Sequence, residues 1–383
     1  MTRIRPRIAA VLGTRPEAVK LAPVIRALKG KASGCEVRIV STGQHRELCG
    51  QALAALGLSA DLDLGLMRPA QAPEDLLGTA VPVLRGTLAE MRADAVLVQG
   101  DTTTTLAGAL AGFYQRLPVG HVEAGLRTGS LDQPYPEEGH RRLVTVLSHW
   151  HFAPTPGAAA NLRREGVPSS RIFITGNPVV DAVRAMLRPD FSPERHGLAL
   201  RAPCRRRVVV TAHRRESFGA PLRGICHAVD DLARRFPDTE FVFPVHPNPG
   251  VRSIVRDRWR RPRANVRLIE PLPYAVFVNL LARTALVLTD SGGIQEEAPA
   301  LGLRVLILRA KTERPEALRA GARLVPLRRT AIVQAADDLL RRRRPVRDAV
   351  NPFGDGRAGA RIARILSRTM RSGQPGGRGK GSG

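Results

Sequence analysis

The sequence predicts an α/β protein made of two doubly wound parallel-sheet domains facing a cleft. Three observations predict it. Short apolar, β-branched runs recur along the 383 residues, each ending in small or polar residues before a helical stretch. The pattern restarts near residue 180. The polar residues gather just after the runs, where open α/β sheets bind their ligands.

In chain order, the first half offers strands at Ile8–Leu12, Glu36–Thr42, Ala95–Gln99, Pro118–Val122, Trp150–Ala153 and Arg171–Thr175. The second half offers Val208–Thr211, Glu240–Val245, Val266–Ile269, Leu286–Thr289 and Val305–Leu308. Most are apolar without clean alternation, as strands buried on both faces should be. Helical stretches lie between them, such as Ala18–Lys29, Leu106–Gln115 and Arg223–Arg235, with a late one over Gly359–Thr369. The expected domains are 1–178 and 179–370, with the last helix a candidate to pack back on the first. Pro189–Arg206, rich in Pro and Arg, reads as a surface connection, and the Gly-rich stretch 371–383 as a disordered tail.

Composition removes several classes of function. Hydrophobic residues make up 43%, enough for two sizeable cores. No run of 18 apolar residues suggests a membrane span, and the basic start runs directly into a strand, so a cytoplasmic protein is expected. Cys35, Cys49, Cys204 and Cys226 show no C-x-x-C spacing, which fits free thiols rather than a zinc site. No metal and no cofactor is expected. The net charge of +26 raises the question of nucleic acid. Yet only five residues are Lys, and Arg is scattered through the chain, which fits a composition bias better than a binding patch. The run Arg341–Arg344 reads as a solvated charge run. The charge favours anionic ligands such as nucleotide diphosphates.

The residues that follow the strands form a consistent set. The first strand leads to Gly13-Thr14-Arg15-Pro16-Glu17, the second to Gly43-Gln44-His45, and the third to Gly100-Asp101-Thr102. The fourth leads to Glu123-Ala124-Gly125. In the second half the corresponding groups are His213-Arg214, His246-Pro247-Asn248 and Asp290-Ser291-Gly292-Gly293. Any one could be a turn or a helix cap; together they outline a site lined by carboxylates, Arg and His. The sharpest is Thr289–Glu297. Two glycines at a strand-to-helix junction let the backbone approach a phosphate, which free N–H groups and the helix dipole would hold. Glu296 and Glu297 are expected in the first turn of that helix, where one could take ribose hydroxyls. Neither G-x-G-x-x-G nor a P-loop is present, which argues against NAD and ATP hydrolysis. Glu137-Glu138 read either as site carboxylates or as acids complementing a helix N-terminus.

Eight segments carry a resemblance: GTRPEAVK (Gly13–Lys20), GQHRE (Gly43–Glu47), GDTTT (Gly100–Thr104), HVEAGLRT (His121–Thr128), Pro136–Glu138, HRRES (His213–Ser217), DSGGIQEE (Asp290–Glu297) and TERPE (Thr312–Glu316). In this order they resemble the non-hydrolysing UDP-N-acetylglucosamine 2-epimerases over about residues 8–360. The resemblance implies a GT-B-like fold of two Rossmann-like domains. It implies interconversion of UDP-GlcNAc and UDP-ManNAc without metal or nicotinamide, in the supply of surface polysaccharide. It also implies a homodimer and a UDP-GlcNAc activator. Asp101, Glu123 and Glu137 match the acid–base residues, and His213, which matches a UDP contact, joins the catalytic set. Arg15, Lys20, Ser291, Gly292, Gly293, Glu297 and Arg314 match substrate-binding positions, and Phe277 a position near the uracil. Gln44, Gln71 and His246 match positions near the activator.

Some residues depart from the family pattern. His140-Arg141 stands where Asn-Arg is usual, Ala310-Lys311 where Asp-Thr is usual, Pro178 replaces a common Thr, and Ala70 replaces a Gly beside Gln71. A related UDP-amino-sugar therefore stays open as the substrate. The competing readings are a GT-B glycosyltransferase, a hydrolysing epimerase and a nucleic-acid-binding protein. The carboxylate set favours epimerisation over glycosyl transfer.

Overall fold

A computed structural model describes residues 5–68, 71–198, 200, 206–212, 214, 217–341 and 351–372. The chain divides into two compact units. One runs to Ala185 and resumes at Phe353; the other spans Met186–Pro352.

The first unit begins β1 (Arg7–Leu12), α1 (Arg15–Lys29), β2 (Glu36–Ser41), α2 (Arg46–Ala55), β3 (Leu62–Asp63), α3 (Pro73–Glu90) and β4 (Ala95–Gln99). It continues α4 (Thr103–Tyr114), β5 (Val119–Val122), α5 (Glu137–Leu147), β6 (Trp150–Ala153), α6 (Pro156–Arg164), β7 (Ile172–Ile174) and α7 (Pro178–Met186). The strands form a parallel sheet in the order β3-β2-β1-β4-β5-β6-β7. Hydrophobic residues on both faces explain why the runs lack alternation: Ala9, Val11, Val96 and Val98 enter one core with α3 and α4, while Ile8, Ala10 and Leu12 are equally buried on the other side.

The second unit runs β8 (Arg206–Thr211), α8 (Ala220–Arg235), β9 (Thr239–Pro244), α9 (Pro249–Arg258), β10 (Val266–Ile269), α10 (Tyr274–Leu281), β11 (Leu286–Thr289) and α11 (Gly292–Ala300). It ends β12 (Val305–Leu308), β13 (Ala322–Val325) and α12 (Arg329–Arg341). Its parallel sheet has the order β10-β9-β8-β11-β12-β13. Val208 and Val210 face α8, α9 and α12; Val209, Val287 and Ile307 face α10 and α11. Burying each such side chain stabilises by about 1.5–3 kcal/mol.

Each of the eleven strands read from sequence is present, displaced by at most two residues at an end. Two more were not read: β3 is two exposed residues, and β13 is an edge strand carrying Arg323. The 189–206 connection is not confined to the surface, because Leu198 and Leu200 sink into the second unit's core. Asn279 anchors its start, holding the Met186 carbonyl and the Arg188 amide at 2.8 Å each.

The division falls between Ala185 and Met186, at the last residue of α7, rather than at residue 178. Beyond Phe353 the chain forms α13 (Ala358–Arg371) within the first unit. Asp181 of α7 accepts the amides of Ala358 and Gly359, satisfying two donors that a helix start leaves unpaired. Gly359 packs against the backbone of Pro23 in α1, where no Cβ would fit. The expected tail lies outside the described residues from 373 onward, as do Cys204 and residues 342–344 of the basic run. Among the described residues no helix is long and apolar enough to cross a membrane.

Candidate active site

In both sheets the strand order reverses at a switch point: between β1 and β4 in one, between β8 and β11 in the other. Loops at the carboxyl ends of those strands splay apart there, leaving room for a ligand.

The first unit's switch point is tied together by a residue the sequence reading did not single out. Glu17 is wholly buried. One carboxylate oxygen accepts the amides of Gly13 and Thr14, at 3.0 and 2.7 Å. The other accepts the hydroxyls of Thr102 and Thr105, at 2.7 and 3.1 Å. It therefore joins the turn after β1 to the turn after β4. Burial raises its carboxyl, against the pull of these donors. Thr104 adds a second tie, meeting Thr42 at 2.8 Å and donating to Gln44 at 3.0 Å. Gly13 is required here, since a Cβ would collide with both threonine hydroxyls. Arg15 opens α1, and its charge together with burial lowers the His45 imidazole, burial having the larger effect.

The three expected carboxylates lie around this point in different settings. Glu123 follows β5 with a positive φ of 68°, a conformation that costs a non-glycine residue about 1 kcal/mol or more. It forms a buried ion pair with Lys20 and accepts Asn177 Nδ2 at 3.1 Å. Asp101 follows β4; its Oδ2 takes Arg141 at 2.5 Å, and Arg141 also reaches Glu138 at 3.0 Å. His140 Nδ1 donates to the Asp101 main-chain carbonyl at 2.9 Å, and His121 Nε2 to that of Gly100 at 2.8 Å. Glu137 begins α5, and its Oε2 is buried with no hydrogen-bond partner. Thus α5 carries Glu137, Glu138, His140 and Arg141 along one face. The first-turn position expected for Glu137 and Glu138 also holds.

The second unit's switch point is built around a helix start. Ser291 precedes α11, whose first turn starts at Gly292 and holds no acid. Glu296 and Glu297 were expected in that first turn; they fall in the second, because the helix begins directly at the glycines. They therefore face side chains instead of the helix start. Glu296 pairs with Arg314, and Glu297 accepts the Tyr274 hydroxyl at 2.9 Å. The open first turn leaves amide donors for an anion. Beside it, Arg314 also pairs with Glu313, which takes Arg309 at 3.0 Å and lies 3.8 Å from Arg214. Burial would raise the Glu313 carboxyl, but these three guanidiniums outweigh it and hold it well below the ordinary range. A Cβ on Gly292 would meet Arg314 at 2.8 Å and Arg214 at 3.2 Å. Asp290 anchors the Arg214 amide at 2.9 Å. Phe277, half-buried on α10, packs on the core one turn from Tyr274.

The structure gathers Arg15, Lys20, Gln44, Asp101, Glu123 and Glu137 at one switch point. Ser291, Gly292, Gly293, Glu297 and Arg314 gather at the other. Gln71 accepts the Arg68 amide at 2.9 Å, and His246 is exposed after β9. His213 lies outside the described residues. Glu17, Arg141, Asn177, Arg214, Tyr274 and Glu313 were not picked out as site residues. Most sit inside or beside the quoted motifs, and Asn177 and Tyr274 only distance in the fold reveals.

Two Rossmann-like units, carboxylates at one switch point and an open helix N-terminus flanked by arginines at the other, define a GT-B-like protein equipped for acid–base chemistry and anion binding. Comparison with known proteins narrows this. The family described as UDP-N-acetylglucosamine 2-epimerase matches residues 26–367. The UDP-N-acetylglucosamine 2-epimerase of Escherichia coli K12 is 46% identical over 370 residues, covering 94% of this chain and 98% of its own. The crystal structure of UDP-GlcNAc 2-epimerase from Neisseria meningitidis bound to UDP-GlcNAc superposes with a TM-score of 0.87 at 40% identity, covering 96% of this chain and all of that one. A glycotransferase of kitacinnamycin shares the fold alone, at a TM-score of 0.61 and 14% identity. The chain belongs to the UDP-N-acetylglucosamine 2-epimerase family.

Proposed function

We propose that this enzyme interconverts UDP-GlcNAc and UDP-ManNAc by eliminating UDP across C1–C2 and adding it back. The carrying observation is the set of three carboxylates at one switch point, with Glu137 Oε2 buried and unpartnered. The C2 hydrogen is not next to a carbonyl, so direct exchange is slow. Elimination avoids a free carbanion. A base takes the C2 proton, that bond's electrons form the C1=C2 double bond, and the C1–O bond breaks to release UDP. The intermediate is 2-acetamidoglucal. Re-addition places a proton on the other face of C2 and returns the UDP oxygen to C1. This requires proton carriers on both faces, for which Asp101, Glu123 and Glu137 are the candidates. His213 is assigned with them.

UDP is assigned to the second unit. The open start of α11 at Ser291, Gly292 and Gly293 would take the diphosphate, with Arg314 beside it. Glu297 would take the ribose and Phe277 the uracil. Arg15 and Lys20 are assigned to the substrate in the first unit. An activating UDP-GlcNAc is assigned to Gln44, Gln71 and His246. A homodimer is supported by the exposed apolar side chains of Phe113, Tyr114, Leu143 and Val146 on α4 and α5, the last 83% exposed. The free, buried Cys35, Cys49 and Cys226 support a cytoplasmic setting.

The test is NMR of purified enzyme with UDP-GlcNAc in D2O. UDP-ManNAc carrying deuterium at C2 is expected. Free ManNAc with UDP would mean a hydrolysing enzyme, and unchanged substrate would remove UDP-GlcNAc as the substrate.

A further inference from the structure

We infer that His140 is a positioning residue for the C2 chemistry, fixing Asp101 relative to Glu137; the inference rests on the function proposed above. Its Nδ1 lies 2.9 Å from the Asp101 carbonyl oxygen. A carbonyl only accepts, so Nδ1 carries the proton of this bond. The next residue, Arg141, takes the Asp101 carboxylate at 2.5 Å. Consecutive residues of α5 therefore grip both the main chain and the side chain of Asp101. Glu137 lies one turn earlier on the same helix, and Arg141 is held in turn by Glu138 at 3.0 Å.

The turn before Asp101 takes a positive φ of 80° at Gly100, whose amide donates to the Val122 carbonyl at 3.0 Å. His121 fixes one peptide by donating to the Gly100 carbonyl at 2.8 Å, and His140 fixes the next. The two imidazoles differ in burial. His121 is fully enclosed in β5, whereas His140 keeps a small exposure. His121 thus belongs to the core, and His140 stands at the edge of the reacting groups. Losing its donor would free the Asp101 peptide to rotate while leaving Arg141, and the fold, in place. A misplacement of about 1 Å costs on the order of 100-fold in rate.

The experiment compares His140→Ala and His140→Asn in full-length enzyme with UDP-GlcNAc. The Asn side chain carries an N–H donor at the reach of Nδ1. His140→Ala is expected to lose about 100-fold in kcat with KM within about twofold, and His140→Asn to recover most of it. The melting temperature of both variants should match the wild type, which shows that the unit carrying His140 is folded. Full kcat in the Ala variant would overturn the inference, as would an Asn variant as slow as Ala. Failure of the wild type to turn over UDP-GlcNAc would overturn the proposed function instead.

Discussion

Glu137 differs from Glu123 and Asp101 in having a buried oxygen with no hydrogen-bond partner, whereas those two are engaged by Lys20 and Arg141. Replacing it by Gln removes the proton acceptor and keeps the shape. Glu137→Gln should lower kcat by about 10²–10⁴-fold, the range of general acid–base catalysis, with little change in melting temperature. Lys20 makes a contrasting prediction. Both it and Glu123 are buried, so Lys20→Met leaves a carboxylate charge without its cation. Breaking such a pair costs about 3–5 kcal/mol, so chemical denaturation should show lost stability as well as lost activity. A Lys20→Met enzyme as stable as the wild type would contradict that cost.

At the scale of elements, the proposed chemistry falls on the β–α junctions. The α11 junction can be tested by Gly292→Ala, whose Cβ would press on Arg314 and Arg214. Displacing that guanidinium should weaken UDP binding about tenfold, equivalent to about 1.4 kcal/mol, as read by calorimetry. Such junctions were legible because Gly, Asp, Ser and Thr interrupt apolar runs at the strand ends. What stayed hidden depends on distance in the fold. Glu17 looks like an ordinary first-turn acid, and only the approach of β4 to β1 brings Thr102 and Thr105 to it. Glu296 and Glu297 were placed a turn early because the start of α11 was assigned late: glycines read as loop, yet here they are helical. The strand β13 was missed because an edge strand of ARLV lacks a continuous apolar signal.

At the scale of the whole molecule, buried histidines set the acid limit of the fold. Burial lowers His121 to about 3 and His151 to about 4, from an ordinary value of 6.5. The folded protein keeps both neutral while the unfolded chain takes up protons below 6.5. Their contribution is therefore complete above pH 6.5 and drains away as pH falls toward 4 and then 3. Melting temperature should drop between pH 7 and 5, and a His121→Asn variant should drop less over that interval. Equal losses would remove His121 from this role. The +26 charge acts at the same scale, drawing an anionic substrate by long-range attraction. It predicts that kcat/KM falls as salt is raised.

The central claim is that UDP leaves C1 and returns. UDP-GlcNAc carrying ¹⁸O in the bridge between C1 and the β-phosphorus tests it most directly, read by ³¹P NMR as UDP-ManNAc forms. Detached UDP can rotate its β-phosphate before adding back, so the label should spread from the bridge to the non-bridging oxygens. UDP-ManNAc formed with every label still in the bridge would contradict the account.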